Sequence, residues 1–237
     1  MSIVEWPKWQ PSEDESTARL VQVFRRWRYI VFGYPGNLNL QLQCNSRTDI
    51  EAALNIWPLA LPIFLQVDFN DERADEVDIL GGLEQHRDRM SGIYLWGFLR
   101  SQLKKCIALM QEQFLVLTSL VLEADRERMF VADAFLGGSA PLLQTISLGG
   151  DYILFPGLPR LLSSTRDLVD LNLRGIPTTG KGSIPSDAMA TCLSVLTKLR
   201  SLTIALWQAP SPYPIDRHPP PSTSTVLSAL TYLWTVS

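Results

Sequence analysis

The stretch Gly175-Ile-Pro-Thr-Thr-Gly180-Lys181-Gly182 comes nearest to a catalytic motif in this sequence of 237 residues. A phosphate-binding loop has the form G-x-x-x-x-G-K-[ST], in which backbone amides surround the phosphates and the hydroxyl holds magnesium. Gly182 stands where that hydroxyl is needed, Ser183 comes one residue late, and Pro185 delays the helix whose N-terminus should face the phosphate. The spacing predicts an ordinary loop after a strand over Val169 to Leu173, with a nucleotide-binding enzyme as the rival reading. His86, in Glu84-Gln-His-Arg-Asp88, could do acid–base work only with an orienting partner and a pocket. It reads as the exposed end of a helix whose start is acidic and solvated, through Asp71, Glu72, Asp75, Glu76 and Asp78. Those carboxylates do not have the loop spacing of a calcium site.

Cys44, Cys106 and Cys192 are odd in number, widely separated and without C-x-x-C spacing, and only His86 and His218 could join them in a metal site. They read as core residues of a protein in a reducing compartment. A net charge of −3 gives no electrostatic reason to expect a polyanion, and the knot Arg25, Arg26 and Arg28 reads as a solvated helix face, so nucleic acid is not an expected partner. Trp6, Pro7 and Trp9 interrupt the N-terminus without an apolar signal segment, and no stretch approaches the ~20 apolar residues of a membrane span. A cytoplasmic or nuclear protein with no membrane partner is expected, with no catalytic, cofactor-binding or metal-binding residues.

What must position any functional residue is a repeat. The pattern L-x-x-L-x-L recurs as Leu117-Leu120-Leu122, Leu143-Ile146-Leu148, Leu168-Leu171-Leu173 and Leu199-Leu202-Ile204, with a weaker copy at Met90-Ile93-Leu95. The anchors are 27, 26, 25 and 31 residues apart, in or just above the ~20–29 of leucine-rich repeats. Fainter copies begin at Pro62-Leu65-Val67 and Pro35-Leu38-Leu40, and a last one at Leu230-Leu233. Alternation over so few residues marks a short strand with one face in the core.

Each strand needs a return path. Leu99, Leu103, Ile107 and Met110 make one helical stripe, and Met189, Cys192, Leu193 and Leu196 another. Ile50, Ala53, Leu54 and Trp57 make a third, with Ser46 or Thr48 as N-cap. Prolines and glycines in Phe155 to Thr165 and Val131 to Pro141 predict only short turns. A strand plus a helix cannot bury its apolar side alone, so the units must stack. The expected fold is α/β, a leucine-rich-repeat solenoid with parallel strands on its concave face and helices and turns on its convex face. The repeats occupy 46–209, followed by a proline-rich loop over 210–225 and an incomplete last repeat over 226–237.

The head of the chain is different. After a flexible segment over 1–16, Leu20, Val23, Phe24, Trp27 and Ile30 share one side of a helix from about Thr17 to Phe32, within a unit over 17–45 that ends in the first strand. The wording Leu20-Val-Gln-Val-Phe-Arg-Arg-Trp-Arg-Tyr29, then Phe32 and Pro35, resembles the second half of an F-box. With Leu38 to Leu42, Trp57-Pro58 and Leu136-Gly-Gly-Ser-Ala-Pro141, nearly the whole chain resembles the F-box and leucine-rich-repeat proteins expanded in mushroom-forming fungi. The resemblance implies a substrate-recognition subunit of a cullin-type ubiquitin ligase, with Leu20, Val23, Phe24 and Trp27 in the helix that docks on a Skp-type adaptor. It departs from the family where an opening leucine-proline segment and apolar helix are missing, and where Phe24 stands at a position often held by cysteine; the F-box is therefore partial. An interaction module with no ligase adaptor is the alternative.

Between the inward leucines, Phe64, Gln66, Tyr94, Trp96, Ser119, Val121, Thr145, Ser147, Asp170, Asn172, Ser201 and Thr203 should point outward. Most are small and polar. Phe64, Tyr94 and Trp96 are the exceptions, and such aromatics anchor protein partners because they bury much area for few lost rotamers. With Asp170 and Asn172 they are the expected contact residues for an unidentified protein substrate.

Overall fold

The computed structural model describes residues 41–56, 61–72, 74–124, 128–177, 184, 186–207 and 230–236. The chain divides into two compact units, Met1–Leu40 and Gln41–Ser237. The first lies outside the described residues, and with it the head helix and the copy at Pro35-Leu38-Leu40.

The second unit is α/β. Its strands are β1 (Leu42–Asn45), β2 (Ile63–Asp68), β3 (Met90–Trp96), β4 (Ser119–Glu123), β5 (Arg128–Phe130), β6 (Thr145–Gly149), β7 (Tyr152–Leu154), β8 (Asp170–Pro177), β9 (Ser201–Trp207) and β10 (Tyr232–Val236). Among the described residues, eight of them form one sheet in the order β1-β2-β3-β4-β6-β8-β9-β10, every neighbouring pair parallel. β5 and β7 form a small parallel pair, with Met129 and Ile153 buried. Parallel neighbours in chain order require a crossover between strands. Helices supply it at α1 (Ile50–Ile56), α2 (Glu76–Gln85), α3 (Arg100–Leu109), α4 (Leu158–Ser164) and α5 (Ser186–Ser194), and a short 3-10 turn at Phe135–Gly138.

The inward row Cys44, Leu65, Ile93, Leu120, Ile146, Leu171 and Leu202 runs straight across the register, each residue 4% exposed or less. A second row, Val67, Leu95, Leu122, Leu148 and Leu173, is fully buried beside it. Because side chains alternate with period two, a strand that places its leucines in these rows puts every intervening residue on the other face. Shortening one such leucine to alanine would cost about 2–5 kcal/mol.

Several sequence expectations change. The anchor of the second copy is Ile63, fully buried, rather than half-buried Pro62, because the register between β2 and β3 slips by one residue at that point. Leu99 does not join its stripe. It precedes the first residue of α3 and is 66% exposed, its amide donating to Gln102 Oε1 at 2.9 Å, while Leu103, Cys106, Ile107 and Met110 are buried. Asp49, not Ser46 or Thr48, caps α1, accepting the Ala52 amide at 2.8 Å. Thr48 instead bonds Asn45, and Ser46 Oγ accepts the Asp68 amide. The segment expected to hold only turns after Phe155 contains the two-turn helix α4, with Leu158, Leu161 and Leu162 buried. Pro159 sits in its first turn, where a missing N–H costs nothing. Trp57 and the proline-rich segment lie outside the described residues.

Contacts between neighbouring helices and strands tie these elements together. Asp78 of α2 accepts the Ile50 amide of α1 at 2.8 Å, Lys105 of α3 pairs with Glu76 of α2 at 2.7 Å, and Lys198 pairs with Asp167. The Arg89 guanidinium donates through Nε and Nη2 to the Leu61 carbonyl. The acidic helix start thus has specific work: Asp75 caps α2, and Asp78 caps the neighbour.

Candidate functional site

The residues between the inward leucines form three rows on the opposite face of the sheet. One runs Gln43, Phe64, Gly92, Ser119, Thr145, Asp170, Ser201 and Tyr232. The next runs Asn45, Gln66, Tyr94, Val121, Ser147, Asn172 and Thr203. A third, nearer the strand ends, holds Asp68, Trp96, Glu123 and Gly149.

Phe64 and Tyr94 meet with ring centroids 4.7 Å apart and a tilt of 58°. Gly92 makes this possible, since a Cβ there would come within 2.3 Å of Phe64 Cδ2. Phe64 therefore lies across a glycine and against Tyr94 instead of standing up from the sheet. Tyr94 in turn accepts a hydrogen bond from Ser119 Oγ at 3.0 Å, which holds the phenol against β4. Trp96, two residues further along β3, shares their face and is also half-buried. The three predicted aromatics are thus brought together on β2 and β3.

Asp170 and Asn172 are not part of that group. They lie on β8, three strand spacings of ~4.8 Å from β3. Asp170 is exposed, and Asn172 Nδ2 donates to Ser147 Oγ at 3.0 Å. Leu20, Val23, Phe24 and Trp27, expected to meet an adaptor, lie outside the described residues.

Two features were not read from the sequence. Arg174 reaches over Gly149 to Glu123, joining β8 to β4 across β6; a Cβ on Gly149 would come within 2.9 Å of the guanidinium. A shallow depression of about 290 Å³ opens beside Trp96, lined also by Gln43, Asn45, Arg47, Gln66, Asp68 and Asp71. A glycine at an outward strand position was the available signal for the first, because it leaves room for a neighbour to cross.

The groups weighed for chemistry are placed differently. Gly175 is inside β8, at a bulge where the register with β9 shifts, with φ +85°. The strand expected to stop at Leu173 runs on to Pro177, and the rest of the motif, Thr178 to Ser183, lies outside the described residues. His86 ends α2 half-buried rather than exposed, and burial, reinforced by the Arg89 charge, lowers its pKa. The Cys44 and Cys106 thiols are core groups, pushed up mainly by burial to about 11 and about 12, and neither is a poised nucleophile. Among the described residues no three of His, Cys, Asp and Glu are grouped to hold a metal ion, and no helix is long and apolar enough to cross a membrane. Comparison with known protein families, with curated proteins and with solved structures finds no match for the chain.

Proposed function

We propose that this chain is a leucine-rich-repeat protein that binds another protein on the outward face of its sheet, and that its F-box-like head makes it a substrate-recognition subunit of a cullin-type ubiquitin ligase. The observation that carries the binding role is the aromatic group Phe64, Tyr94 and Trp96, preorganised on two adjacent strands of the outward face. Rings already held by packing lose little entropy when a partner covers them. Burying one such ring contributes roughly 2 kcal/mol or more at an interface centre. The reading assigns binding and no catalysis to the chain. The ligase role rests on the resemblance of Leu20 to Tyr29 to an F-box.

Two measurements test the two halves separately. Capture of cellular proteins by the full chain should be lost or sharply reduced in Tyr94→Ala with Trp96→Ala; unchanged capture would refute binding on this face. Co-purification with a Skp-type adaptor should succeed for the wild type and fail for Trp27→Ala. Partner capture without adaptor binding would make the chain an interaction module outside the ligase.

A further inference from the structure

We draw no further inference here: the strongest candidate, the outward surface patch of the β5–β7 pair, where Phe130 is 64% exposed beside Leu154 and Arg128 lies over the Tyr152 ring, carries nothing because nothing in the structure shows what covers it.

Discussion

Replacing Gly175 by alanine should destabilise the fold, although the residue looks from sequence like part of a flexible loop. Its φ of +85° is in the left-handed region, where an L residue is disfavoured by about 1–2 kcal/mol. A Cβ there would also stand 2.2 Å from the Gly150 carbonyl oxygen, a backbone atom that cannot swing aside. Moving β8 away from Gly150 and Asp151 to relieve that contact adds about 1–3 kcal/mol of overpacking strain, for a total of about 2–5 kcal/mol. Gly81, inside α2, is the control: a Cβ added there would meet nothing within 4 Å, so Gly81→Ala should stabilise by about 0.5–1 kcal/mol. Urea unfolding followed by far-ultraviolet circular dichroism should therefore move the two midpoints in opposite directions. A Gly175→Ala midpoint equal to the wild type would refute the bulge as a structural requirement.

Asp78→Ala should cost about 1–3 kcal/mol by leaving the part-buried Ile50 amide without its acceptor; Asp78→Asn, which keeps an acceptor oxygen, should recover most of it, and equal urea midpoints for the two variants would contradict the inter-repeat cap. The Cys44 and Cys106 thiols should resist iodoacetamide at about pH 8 in the folded protein and react once it is unfolded. Since their folded pKa values of about 11 and about 12 lie above the ordinary 9.0, the unfolded chain sheds protons that the folded one keeps. Their contribution is complete below pH 9 and declines as pH rises towards 11–12, so a urea midpoint that increases over that window would contradict it. Gly92→Ala should force the Phe64 ring off Tyr94, losing about 0.5–1.5 kcal/mol of ring contact while alanine returns about 0.5–1 kcal/mol in a strand. Stability should then change little and partner capture should weaken; full capture with the ring displaced would show that the aromatic pair is not the anchor.

The parts of the fold that repeat were legible because burial imposes a period on them. Leu117 to Leu122 and its later copies read as strands since only alternate residues reach the core, and Leu103, Cys106 and Ile107 read as a helix since i, i+3 and i+4 share one side. Where a residue has two structural uses, the letters misled. Pro159 reads as a breaker but is compatible with a first helical turn, so α4 was missed. Gly175 reads as a loop glycine but serves a bulge, and Leu99 reads as part of an apolar stripe but lies just before its helix.

The sequence by itself determined which residues face inward and which outward along β2, β3, β4, β6, β8 and β9, because that choice depends only on local alternation and the need to bury leucine; β1, β5 and β7 were not read as strands. It also singled out Phe64, Tyr94 and Trp96 as large side chains on the outward face. Which of those residues touch was decided by tertiary structure, through the lateral register of strands far apart in the chain. The one-residue slip at Ile63 aligns Phe64 with Gly92 and lets it lie on Tyr94; the same stacking sets Asp68 beside Trp96 and carries Arg174 over Gly149 to Glu123. Contacts between strands depend on pairing, and no single segment of the chain contains that information.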